Sequence, residues 1–312
     1  MSQQEEWRDV VPIPQDDGPH PICPIAYTDE YKEMMDYFRA VIAKGEVSER
    51  ALKLSSRVIE ENPGHYTVWV YRKKLIQELS ASLEDELDWI SEIADMHPKN
   101  YQLWHHREAI VQSLLDPKER ELQFLASAID EDSKNFHAWS YRQWLVRTYG
   151  IWDQELAFID TMIAQDVRNN SAWNQRYFAL LANRPSTDAV LVGQVVSREI
   201  EYAVDKIKLA PNNESPWSYI VGLLLRHAPE KMYTELLPQI SALASDGSFS
   251  AAVSSTPFYW SALVDIYEQQ AKSLPDHKAE ALSRARNICR SLASEHDPMR
   301  AKYWEFRKGQ LN

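Results

Sequence analysis

Seven tryptophans return at a fixed beat, and a beat of this size leaves few folds open. Trp69, Trp104, Trp139 and Trp173 stand 35, 35 and 34 residues apart, and Trp217, Trp260 and Trp304 follow at steps of 44, 43 and 44. The first four each carry an arginine three residues on, as Trp69-Val-Tyr-Arg72, Trp104-His-His-Arg107, Trp139-Ser-Tyr-Arg142 and Trp173-Asn-Gln-Arg176, and the last restores the form as Trp304-Glu-Phe-Arg307. Self-similarity at this period is the signature of stacked helical hairpins, each too small to bury its apolar face alone. The chain is therefore expected to be all-α, a superhelical solenoid of about seven hairpins, one per tryptophan.

The punctuation between helices agrees. Residues 1–27 carry Pro12, Pro14, Pro19, Pro21 and Pro24, which fix φ and remove donors, so an extended arm without helix is expected there. Residues 28–312 form the expected solenoid. Its breaks read Glu61-Asn62-Pro63-Gly64, His97-Pro98-Lys99-Asn100, Asp132-Ser133-Lys134-Asn135 and Asp166-Val167-Arg168-Asn169. Pro and Gly stop one helix, and an Asn four residues before the Trp caps the next by accepting from free backbone N–H groups. Within that second helix Tyr101, Trp104, Ile110 and Leu114, or Phe136, Trp139, Leu145 and Tyr149, recur at helical spacing and mark the inward stripe.

Charge and cysteine usage narrow the class of function. A formal net charge of −12 repels nucleic acid and anionic membranes. Cys23 and Cys289, far apart, argue against a disulfide framework and fit a reducing compartment. The opening MSQQEEWRDVVPIP has neither a basic nor an apolar secretory region, and no apolar run approaches the length of a membrane span, so a cytoplasmic protein is expected. The nine histidines include no His-Glu-x-x-His, and no Cys-x-x-Cys occurs, so this chain is expected to bind no metal of its own.

The even spacing of the tryptophans spreads them along the solenoid instead of converging them on a ligand. Trp69, Trp104, Trp139, Trp173 and Trp304, with Arg72, Arg107, Arg142, Arg176 and Arg307, are accordingly read as structural: the ring fills the groove between hairpins, and the guanidinium satisfies loop carbonyls or an acidic neighbour. Tetratricopeptide repeats share the period but require Gly and Tyr at set offsets after the Trp, where this chain repeats Arg. One loop residue admits two readings. Lys99, beside the cap Asn100, is either a solvated loop lysine or a compact cation placed with helix N–H groups to meet phosphate oxygens.

The runs Lys99-Asn-Tyr-Gln-Leu-Trp-His-His-Arg107 and Lys134-Asn-Phe-His-Ala-Trp-Ser-Tyr-Arg-Gln-Trp144 resemble the repeats of the protein prenyltransferase α subunits. The stretch Asp9-Val-Val-Pro-Ile-Pro-Gln-Asp-Asp-Gly18, followed by Tyr37-Phe-Arg-Ala40, resembles the start of the branch that serves both farnesyltransferase and geranylgeranyltransferase type I. The resemblance covers nearly the whole chain. It implies a crescent of hairpins wrapped around a β subunit, an α/α barrel that holds the catalytic zinc, any magnesium and most of the isoprenoid pocket. The implied reaction moves farnesyl or geranylgeranyl from its diphosphate to the cysteine of a C-terminal Cys-a-a-X sequence. A non-catalytic helical-repeat scaffold for peptides or partner helices, and the longer Rab-type α subunits, are the competing readings.

By the same resemblance Lys99 matches a lysine that reaches the isoprenoid diphosphate, Tyr101 the rim of the active site, and Gln102 the terminal carboxylate of the peptide. Asn135 and His137 match positions facing the β subunit and the diphosphate end of the pocket, and Tyr66 faces the same cavity. Two departures bear on this. Phe136 stands where a tyrosine is more usual, so a hydroxyl contact expected there is either absent or supplied elsewhere, and His65 replaces the capping Asn ahead of Tyr66. Lys134 shares the repeat position of Lys99, but one diphosphate cannot fill two repeats, and no catalytic role is carried onto it.

Overall fold

The structure is a computed structural model that describes residues 1, 3–181, 189–227, 237–245 and 250–312. Among these residues there are helices and turns and no strand, and they group into two compact units, Met1–Tyr149 and Gly150–Asn312. The first holds α1 (Asp29–Lys44) and the hairpins α2 (Glu49–Glu61) with α3 (Tyr66–Leu79), α4 (Leu83–Met96) with α5 (Tyr101–Val111), and α6 (Lys118–Glu131) with α7 (Phe136–Tyr149). The second pairs α8 (Trp152–Gln165) with α9 (Asn170–Leu181) and α10 (Ala189–Leu209) with α11 (Glu214–His227), and continues through α12 (Ser250–Ser255), α13 (Pro257–Ser273), α14 (Lys278–Ser291) and α15 (Ala301–Gln310).

Local sequence sets the helix starts. Thr28, Ser48, Ser82 and Asn100 each accept from the backbone N–H three residues on, opening α1, α2, α4 and α5. Such a cap contributes about 0.5–2 kcal/mol. His65 makes no side-chain cap on α3, in keeping with its replacing Asn in the pattern. Gly45 closes α1 at φ 63°, a left-handed conformation that a residue without Cβ adopts freely.

The first residues differ from the helix-free arm expected of them, for Glu5–Trp7 form one 3-10 turn. Tertiary packing is the reason. Trp7 is buried edge-on against Tyr37, with 5.5 Å between ring centres. Arg50 lies over its ring and forks onto Asp9 at 2.7 and 2.9 Å, which holds that carboxyl down at about 2. From Val11 to Ala26 the chain is exposed.

Every repeat tryptophan occupies the fourth residue of its helix. Nε1 of Trp69, Trp104, Trp139, Trp173, Trp217 and Trp260 donates to the carbonyl six residues earlier at 2.8–3.1 Å, and Trp304 donates to the Asp297 carboxylate at 2.7 Å. The ring thus closes its own loop while its body fills the core. In three repeats the arginine three residues on forks onto a glutamate of the next first helix: Arg72 onto Glu86 at 2.8 and 2.6 Å, Arg107 onto Glu121 at 2.7 Å twice, Arg176 onto Glu199 at 2.6 and 3.2 Å, whereas Arg307 reaches back to Asp265 and Glu268. Each of the three forked guanidiniums also covers an aromatic ring, of Trp89, Phe124 or Tyr202, at 3.5–3.7 Å.

The glutamates then take a second donor from the helix that completes their own hairpin. His106 meets Glu86, Tyr141 meets Glu121 and Tyr219 meets Glu199, each 20 residues apart, and Gln175 donates to Glu155 at the same separation. A buried carboxylate with all its partners is tolerated, whereas deleting one partner costs about 3–5 kcal/mol because a charge is left behind. Burial opposes ionisation of Glu86, but the bonds from His106 and Arg72 outweigh it and hold the carboxyl below the usual range. Burial also pushes His106 below the ordinary imidazole value. Arg72 has already neutralised the carboxylate beside it.

Candidate functional site

Helices α3, α5 and α7 pack against one another in order, so their N-terminal ends make a row. Three positions before each tryptophan stand Tyr66, Tyr101 and Phe136, exposed to 69%, 68% and 67%. Near-equal exposure shows that one repeat position projects each ring clear of the hairpins. Large apolar rings held out in a row favour contact with something outside the chain.

Between α5 and α7 the row is tied together. Pro98 O accepts Trp104 Nε1 at 2.8 Å from its own loop and Asn135 Nδ2 at 3.0 Å from the next. Asn135 Oδ1 meanwhile accepts from His137 N–H at 2.9 Å and from Ala138 N–H, so one buried side chain both caps α7 and fixes its distance from α5. Asn213 repeats the device, donating to Val167 O at 2.8 Å while accepting from Ser215 N–H. The His137 ring meets Tyr101 edge-on at 4.3 Å, and burial there lowers the imidazole below its ordinary value. Lys99 Nζ lies 3.3 Å from Asp132 Oδ2.

Lys99, Tyr101, Asn135 and His137 are therefore brought together. Gln102 follows in the same first turn of α5, half-buried. Tyr66 stands one helix away on α3, its ring 6.5 Å from His65. Phe136 packs on His137 at 5.6 Å and offers no hydroxyl. Lys134 is exposed, and its backbone N–H donates to Asp132 Oδ1 at 3.1 Å. His105 is exposed and His106 buried. Among the described residues no group of three or more His, Cys, Asp or Glu could hold a metal ion, and no helix is long and apolar enough to cross a membrane.

Sequence reasoning missed Asp132 and the glutamates Glu86, Glu121, Glu155 and Glu199. The glutamates had a signal. The first three keep the tryptophan beat, at steps of 35 and 34 residues.

A family model described as protein prenyltransferase alpha subunit repeat matches residues 48–79, 83–114, 118–149 and 152–183, the segments that carry the first four Trp-Arg hairpins. The farnesyltransferase/geranylgeranyltransferase type-1 α subunit of Dictyostelium discoideum is 38% identical over all of this chain and 94% of its own length. That of Solanum lycopersicum is 44% identical, again over all of this chain and 91% of its own. A solved structure of Candida albicans protein geranylgeranyltransferase-I complexed with GGPP superposes with a TM-score of 0.80 at 33% identity, covering 99% of this chain and 100% of that one. The described helices, the tryptophan hairpins and these likenesses over the full length agree: the chain belongs to the α subunits of protein farnesyltransferase/geranylgeranyltransferase type 1.

Proposed function

We propose that this chain works as the α half of a heterodimer that moves farnesyl or geranylgeranyl from its diphosphate onto the cysteine of a C-terminal Cys-a-a-X sequence. The observation that carries the reading is the cluster at the ends of α5 and α7, where Lys99 sits at the edge of a row of projecting rings. Among the described residues no group of three or more His, Cys, Asp or Glu could hold a metal ion; this reading assigns the zinc that would activate the cysteine thiol, any magnesium and most of the isoprenoid pocket to the β subunit.

In the transfer, the bond from isoprenoid carbon to diphosphate oxygen breaks with its electron pair going to oxygen. The cysteine sulfur, having lost its proton, forms the thioether to that carbon. Negative charge grows on the leaving diphosphate, and an ammonium near it stabilises the transition state more than the bound substrate. Lys99 is that cation. Tyr101, braced by the edge of His137, lines the rim, Asn135 keeps α7 at the right distance from α5, Gln102 presents an amide to the peptide carboxylate, and Tyr66 extends the wall.

Lys99→Ala in the reconstituted heterodimer is expected to lower single-turnover transfer about 10- to 1,000-fold, the range for losing one preorganised electrostatic contact. Substrate affinities fall much less, and Lys134→Ala has a smaller effect. Equal, wild-type turnover by both variants at saturating substrate removes Lys99 from the chemistry.

A further inference from the structure

Asp132 caps the C-terminal end of α6, its backbone N–H on Ala128 O at 3.1 Å. Its Oδ1 is occupied by Lys134 N–H at 3.1 Å. That fixes the carboxylate and leaves Oδ2 facing Lys99 Nζ at 3.3 Å. The loops of the two residues are clamped at this separation by the Asn135 bond to Pro98 O. Lys99, 73% exposed on a flexible stem, can leave; Asp132, tied to its own turn, cannot follow. The loop does not need an acid at this position, since the same C-cap is Asn62 at the end of α2 and His97 at the end of α4.

We propose that Asp132 is the resting counter-ion of Lys99, displaced when an isoprenoid diphosphate binds and the diphosphate takes up charge, and that it thereby sets diphosphate affinity without touching substrate. The inference rests on the reading of Lys99 given above. An exposed ion pair is weak, and a diphosphate presents several charged oxygens where Asp132 presents one, so the ammonium transfers to the ligand once it arrives. Before it transfers, Asp132 shields part of its charge. Displacing Asp132 is a cost that the bound substrate and the transition state share, so it weakens diphosphate binding and does not speed the chemical step. Asp132 is a positioning residue in this scheme. It also eases departure of the diphosphate product, because it reclaims the lysine.

Asp132→Asn isolates the charge, for an amide oxygen still accepts the Lys134 N–H and keeps the turn. In the reconstituted heterodimer this variant is expected to bind farnesyl diphosphate, and inorganic diphosphate as a competitive inhibitor, about 3- to 10-fold more tightly at low salt, as expected for freeing one surface cation. The gain shrinks as salt rises. Single-turnover transfer from the bound state is no faster than wild type. A purely structural role predicts the opposite sign, weaker binding from a loosened loop. The second arm repeats the substitution in Lys99→Ala, where the gain in affinity disappears.

If Asp132→Asn leaves affinity unchanged or lowers it while Lys99→Ala slows transfer, the counter-ion role is wrong and the role of Lys99 stands. An equal gain in both backgrounds also overturns it, since Asp132 then acts on diphosphate by general repulsion. If Lys99→Ala changes neither rate nor affinity, the role of Lys99 falls and the counter-ion role falls with it.

Discussion

His106 is the one group titrating near neutral pH among the partners that complete the glutamate bonds, and it gives the core a pH dependence. Its repeat position is filled by Tyr141, Gln175 and Tyr219 in other hairpins, each bonded to the corresponding glutamate. With its folded value below the ordinary 6.5, the unfolded chain takes up a proton first as pH falls. Stability is therefore intact above 6.5 and declines below it, by at most about 1.4 kcal/mol per pH unit for one proton. His106→Gln keeps a donor for Glu86 and should flatten that decline. Denaturant midpoints of the two proteins at pH 7.5 and 5.5 measure it, and parallel losses would show that His106 is not the source. Glu86, held low, adds a loss of the same sign at lower pH in both proteins. The tryptophans and arginines were legible because such residues at such spacing are rare. Glu86 was harder to read, since Glu84, Asp85 and Asp88 flank it and only its step of 35 residues to Glu121 marks it as the acid that turns inward.

At the scale of the helix, Asn135 joins two functions that a substitution can separate. Asn135→Asp keeps the acceptor for the first turn of α7 but loses the N–H donated to Pro98 O, while Asn135→Ala loses both. The alanine variant is expected to lose about 1–3 kcal/mol of stability. The aspartate variant should lose less, yet transfer slows in both because the Lys99 loop is released. Single-turnover rates beside denaturant midpoints check this; a rate that follows stability alone contradicts the clamp. Capping by Asn was readable from its place four residues before the Trp. The second bond was not, because it reaches 37 residues back, and no local pattern encodes which carbonyl lies there. The 3-10 turn at Glu5–Trp7 escaped for the same reason: the prolines after it dominate the sequence, whereas Trp7 is ordered by Tyr37 and Arg50.

For the whole chain, the repeat made fold and family legible together, while the chemistry stayed hidden because, on the function proposed above, the reacting groups are divided between two polypeptides. The purified chain alone is expected to form no thioether and to hold no stoichiometric zinc, by transfer assay and metal analysis after gel filtration. Activity in the absence of a partner would place the pocket here after all. The shared glutamates carry one more consequence, for how the length of such a gene can change. Glu86 takes Arg72 from 14 residues before and His106 from 20 after, and Glu121 takes Arg107 and Tyr141 at the same offsets. Excision or duplication of one full period hands each carboxylate an equivalent pair of donors, so the interior stays neutral. A shorter insertion within a helix rotates one donor out of reach and strands a charge, a loss of about 3–5 kcal/mol out of a total stability of about 5–15. Tolerated length variation should therefore come as whole hairpins, or fall in the loops between them.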